Sequence, residues 1–154
     1  MPSTKNRITP KKRMYFHSEL RQCPHCGTKL KRHHTAWHKY VNTLNGIFDI
    51  WNMAYVCPNL ECPYPESYFR SAEADALVIK HTSYGFDVLA LVGELRFKQH
   101  YTLSELHEEL NQRGVITSER NCEQLYERYL TLLRASVTDH LREVLAGVAR
   151  RFAR

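Results

Sequence analysis

Two regimes of hydrophobic spacing divide the chain. Between residues 31 and 57, apolar and aromatic positions crowd into two runs, 31–41 and 47–57, separated by Asn45-Gly46. Asn and Gly tolerate positive φ most readily, so this dipeptide between β-forming runs predicts a β-hairpin. The second run is the denser, with Ile47, Phe48, Ile50, Trp51, Met53, Tyr55 and Val56. Its alternation is imperfect, which predicts one face on the metal site and the other against a neighbouring element. Trp37 and Trp51 are expected to pair across the hairpin, as core residues before stacking platforms. Phe69 marks a short return strand.

From residue 87 the period turns helical. Val88, Leu91, Val92 and Leu95 share a stripe over 87–98, and Gly93 offers a close-packing point against another helix. Thr102-Leu103-Ser104-Glu105 has the capping-box form, a hydroxyl followed three residues later by glutamate. A short helix carrying Leu103, Leu106 and Leu110 should end near Arg113, with Gly114 as its breaker. Val115 and Ile116 are expected to anchor the turn. Ser118 should cap a longer helix that buries Cys122, Leu125, Tyr129 and Leu132 or Leu133. A last stripe of Val137, Leu141, Val144, Leu145, Val148 and Phe152 predicts a separate C-terminal helix, completing the bundle or joining two copies as a homodimer. Residues 70–86, small and acidic at 72–76 and then briefly apolar, read as a linker.

Composition narrows the class. A chain of 154 residues with 43% hydrophobic positions makes one ordinary domain or two small ones. No run approaches the apolar length of a membrane span. The net charge of +6 is uneven. Residues 1–56 carry ten Lys/Arg against Glu19 and Asp49, a balance of +8, and residues 57–154 carry twelve against fourteen acids, a balance of −2. A basic first half points to a polyanion, nucleic acid first.

The cysteines carry the clearest chemistry. C-P-H-C-G stands at 23–27 and C-P-N-L-E-C at 57–62, one pair on each side of the hairpin. Zinc takes four tetrahedral ligands, and each pair can clamp one side of an ion from a tight turn. Cys23, Cys26, Cys57 and Cys62 are therefore the expected ligands of one structural Zn2+. Disulfides, a redox pair and unliganded core thiols remain alternatives. Residues 1–13 are polar and basic, unlike a secretory leader, so a reducing compartment is expected and argues against bridges. His25, inside the first turn, should point away from the metal. His33, His34 and His38 form either a solvated face or a contact to phosphate and bases, and one of them could replace Cys62 as a ligand. Cys122 reads as a small buried hydrophobe.

These readings give an α+β fold. A flexible basic arm (1–19) precedes a zinc ribbon (20–70), a linker (71–86), a helix-turn-helix domain (87–134) and a C-terminal amphipathic helix (135–154). In such a domain the first turns of the second helix face the DNA major groove. Arg120, Asn121 and Gln124 are the candidate base readers, since arginine can bind guanine, and Asn or Gln adenine, through two hydrogen bonds. Lys11, Lys12, Arg13, Lys29, Lys31, Arg32, Lys39, Ser118 and Arg128 are the candidate backbone contacts.

C-P-H-C-G at 23–27, Y-V-C-P-N-L-E-C-P at 55–63, Phe69, Y-G-F-D-V-L-A-L-V-G-E-L-R at 84–96, T-L-S-E-L-H-E-E-L-N-Q-R-G-V at 102–115 and S-E-R-N-C-E-Q-L at 118–125 together resemble the N-terminal region of prokaryotic insertion-sequence transposases. The resemblance covers residues 20–145. It implies four zinc-binding cysteines, recognition of terminal inverted repeats by the helix from Ser118, and a cytoplasmic, nucleoid-associated protein. In that family a downstream nuclease domain uses three acids and two metals. Asp75, Asp87 and Asp139 have no such scaffold here, so the chain is expected to bind without catalysis, as a fragment or a stand-alone descendant. The competing classes are a zinc-stabilised protein–protein adaptor using the C-terminal helices, and an RNA-binding ribbon in which Trp37, Tyr40 or Trp51 stacks on bases.

Overall fold

The computed structural model describes residues 9–152, with side chains through residue 139. The elements are β1 (Lys12–Phe16), β2 (Lys31–Thr43), β3 (Gly46–Val56), β4 (Tyr68–Phe69), α1 (Ala72–Leu77), α2 (Phe86–Val92), α3 (Leu103–Gln112) and α4 (Glu119–Phe152). The fold is α+β: a sheet region holding the cysteine cluster, followed by helices. It divides into two compact units between Val88 and Leu89, inside α2.

In the first unit β3 is the central strand. It pairs antiparallel with β2 along its length and parallel with β1 over residues 48–52. β4 pairs with β3 at Tyr55 and Val56, beyond the β1 register. The hairpin turn falls at Asn45-Gly46, where Gly46 takes φ +118°. Strand alternation sorts β3 onto two faces. Phe48 and Ile50 join Phe16, Trp37, Val41 and Val78 in a core, each fully buried aliphatic contributing about 1.5–3 kcal/mol.

Three expectations change here. Residues 1–8 of the predicted arm lie outside the described residues, but residues 12–16 are a strand and not a mobile arm. Their backbone completes the ladder of β3, whose second edge would otherwise be unpaired. Nor are residues 71–86 a linker. Ser71 caps α1, and buried Asn52 donates to Ser71 O at 3.0 Å and accepts from Ser71 N at 3.0 Å. Asp75 accepts from Trp37 Nε1 at 2.8 Å and Arg70 Nε at 2.8 Å. Backbone bridges join Asn42 to Tyr84 and Val78 to Gly85. The expected Trp37–Trp51 pair is absent, because the two residues lie on opposite faces: Trp37 sits opposite Asn52, and His38 sits opposite Trp51.

In the second unit the predicted 87–98 helix is α2 followed by a π-helical turn over Gly93–Lys98, where Gln99 N reaches Glu94 O at 3.1 Å. Its buried stripe includes Leu89, with Leu91 only half-buried. Gly93 lies against the Tyr129 ring, and an added Cβ would overlap it. The Thr102–Glu105 capping box forms as predicted. Gly114 takes φ +86° after α3, and Asn121 N donates to Ser118 Oγ at 3.2 Å at the start of α4. Leu106, Leu110, Val115, Cys122 and Leu125 are buried, whereas Ile116 is exposed and anchors nothing. The separate helix expected from 135 is instead a continuation of α4, a single 34-residue helix. Thr131 and Thr138 at the predicted break bond back within it, to Glu127 O and Arg134 O. Of the last stripe, Val137 is exposed and the side chains from Leu141 onward lie outside the described residues.

Candidate metal centre

The end of β3 delivers Cys57 to a cluster with Cys23, Cys26 and Cys62. Their four sulfurs all lie within 4.8 Å of one another. Cys23 Sγ and Cys62 Sγ are 3.8 Å apart, and Cys26 Sγ and Cys57 Sγ are 3.4 Å apart. Tetrahedral zinc with Zn–S bonds of about 2.3 Å needs sulfurs about 3.8 Å apart, whereas a disulfide needs about 2.05 Å. The thiols are free, and their arrangement suits a metal ion.

Local sequence builds both clamps. Cys23 N donates to Thr28 O, and Gly27 N donates to Cys23 O, each at 2.8 Å. That tight turn puts Gly27 at φ +75°, the left-handed region where glycine meets no Cβ penalty. In the second clamp Cys62 N donates to Asn59 O at 3.2 Å and Glu61 N to Asn59 Oδ1 at 3.1 Å. Leu30, Tyr55 and Phe69 pack on the sulfurs.

Electrostatics also favour a cation. Hydrogen bonds from Thr28, then its backbone, lower the Cys26 thiol to about 6. Burial pushes Cys57 up to about 12. Cys62 is raised as well: a hydrogen bond from Tyr64 works downward, but burial and the neighbouring sulfurs outweigh it. Four thiolates packed this closely repel one another, and a bound dication removes that cost.

The histidines stay outside the cluster. His25 lies against Tyr64, with ring centroids 4.3 Å apart. His33 and His34 contact Tyr68. No histidine joins the four sulfurs in a ligand cluster among the described residues.

The candidate nucleic-acid residues divide between the units. Lys29, Lys31 and Arg32 are exposed near the cysteine clamps, and Lys12 is exposed on β1. Lys11 donates to Asn45 O at 3.2 Å, and Lys39 reaches Thr82 O at 3.4 Å. Arg13 ion-pairs with Asp49 at 2.7 Å. In the second unit Arg120 and Gln124 are exposed on successive turns of α4, Asn121 and Arg128 are half-buried, and Ser118 uses its hydroxyl as a helix cap.

One constellation had no place in the sequence reading. Asp49 is completely buried and accepts hydrogen bonds from both Arg13 and His38. Burial works against its charge, but those two partners outweigh it and hold the carboxyl below its usual range. Its signal was available: an aspartate between Phe48 and Ile50 in an apolar strand needs cationic partners. Which partners could not be read before β1 was known to be a strand. Comparison with protein-family models, curated proteins and solved structures finds no match for this chain.

Proposed function

We propose that this chain is a zinc-stabilised, sequence-specific reader of double-stranded DNA, of the kind that recognises transposon ends or operators, with no reaction of its own. The observation that carries the reading is the helix–glycine turn–helix of α3 and α4. Its caps fix both ends of the turn, and Arg120 and Gln124 stand exposed on the first turns of the second helix. This is the placement a recognition helix uses. Base contacts from Arg120 and Gln124 would supply sequence preference, and Lys31 and Arg32 would hold phosphate. One Zn2+ on the four cysteines fixes the fold of the first unit.

Selection from a randomised duplex pool, followed by fluorescence anisotropy at two salt concentrations, tests this. One motif should be enriched, and Arg120→Ala or Gln124→Ala should weaken it by about tenfold while relaxing the preference. Binding with no enriched motif would reduce the chain to a phosphate-binding surface. A second reading, a protein adaptor or homodimer, draws on Leu132 and Val137, which α4 leaves 49% and 53% exposed. Failure to bind duplex at either salt would bring that reading forward.

A further inference from the structure

The sheet face opposite the Val41–Ile50 core carries a row of rings across three strands. Tyr15 on β1 and Trp51 on β3 have centroids 5.9 Å apart at 30°. Trp51 stacks on His38 of β2 at 3.8 Å and 18°, and His38 meets Tyr40 at 5.4 Å. The ends of the row are open, with Tyr15 53% and Tyr40 38% exposed. Exposed aromatics aligned on a sheet are unusual unless something covers them. The Trp51 indole N–H is buried and has no acceptor among the described residues.

The charge around the row selects the occupant. Asp49 is the sole acid in β1, β2 and β3, and it is buried against Arg13 and His38. Arg13 keeps 58% of its side chain exposed beside Tyr15. Further along the same face, His17, Arg21, Lys29 and Tyr55 line a hollow of about 330 Å³. Rings flanked by cations suit a polyanion whose flat groups are free to stack, which a duplex does not offer, because its base faces are already covered.

We infer that this face binds single-stranded DNA, with unpaired bases stacking on Tyr15 and Tyr40 at the two ends of the row and phosphates following Arg13, Arg21 and Lys29. Three adjacent strands span roughly 10 Å, room for about two bases. The choice of a deoxyribose polymer rests on the duplex reading above. The stacking face itself does not, because its residues are separate from Arg120 and Gln124.

Trp51 supplies the probe. The chain has two tryptophans, so Trp37→Phe leaves Trp51 as the sole indole reporter. Titration with an oligothymidylate of about 12 nucleotides should quench Trp51. Tyr15→Leu and Tyr40→Leu, which keep bulk and lose the ring, should each weaken binding about tenfold, leaving duplex selection unchanged. An abasic deoxyribose-phosphate chain of the same length should bind much more weakly. Equal binding of the abasic chain, or unchanged affinity in both leucine variants, would overturn the inference. Tighter binding of the ribo-oligomer would reassign the face to RNA. A Trp51 change that depends on protein concentration alone would reassign it to a second copy. Loss of duplex selection in Arg120→Ala with the oligothymidylate quench intact separates the two sites.

Discussion

Glu19 ties the segment before the cysteines to the start of α1. It accepts Ser71 Oγ at 2.6 Å, Ala72 N at 3.1 Å and Glu73 N at 3.2 Å. Those hydrogen bonds, the Ser71 one largest, lower its carboxyl to about 2. A carboxyl depressed on folding adds stability that is fully present above its unfolded value, near 4.5. That stability is lost as pH falls toward 2. Glu19→Gln keeps an acceptor but cannot titrate. Urea midpoints should therefore show wild type above the variant at about pH 7, with the gap closing toward about pH 2. A gap independent of pH would mean that charge on Glu19 contributes nothing. Asp49 should act in the same direction, since its carboxyl is also held low. The role of Glu19 was not legible in the sequence, and for Asp49 the need for cationic partners was legible but their identity was not. Glu19 and Ser71 lie 52 positions apart, and no local pattern signals a bond of that span.

Elements whose ends are written in local chemistry were legible. Asn45-Gly46 set the hairpin, Thr102 with Glu105 set the start of α3, and Gly114 set its end. Elements defined by distant partners were not. β1 reads as a basic tail because its strand character comes from pairing with β3 about 36 residues away. α1 reads as a linker because Asn52 and Glu19 hold it from elsewhere. The continuity of α4 was missed because scattered hydroxyl residues suggest a break, yet Thr131 and Thr138 bond back to the preceding turn. Gly93 was legible as a contact point but not as the start of a π-helical turn. There the Tyr129 ring occupies the space a Cβ would need. Gly93→Ala should cost about 1–3 kcal/mol in chemical denaturation. Pairing it with Tyr129→Leu, which removes the ring, should recover much of that loss in a double-mutant cycle. A neutral Gly93→Ala would refute the close packing.

For the molecule as a whole, metal dependence should be confined to one unit. The cysteine cluster draws on strands and turns before Val88, and its small core of Leu30, Tyr55 and Phe69 is too slight to hold the two clamps together without the ion. The helical unit has its own core in Leu95, Leu106, Leu110, Val115 and Leu125. Chelation should therefore collapse the cysteine clamps and loosen β3 and β4, while α3 and α4 persist. Hydrogen exchange should register this as lost protection at Cys23, Leu30 and Cys62 but retained protection at Leu106 and Leu125. Metal titration should give one ion per chain, and Cys57→Ser should weaken uptake sharply, because removing one thiolate leaves an incomplete tetrahedron. Uptake should also fall with acid, since each thiol must lose its proton to the ion. Cys26, already lowered to about 6, should be the ligand least affected, and Cys57, at about 12 without metal, the one most dependent on the ion. Simultaneous loss of protection in both units on chelation would contradict this division. It would mean that the metal stabilises the helical unit as well as the sheet.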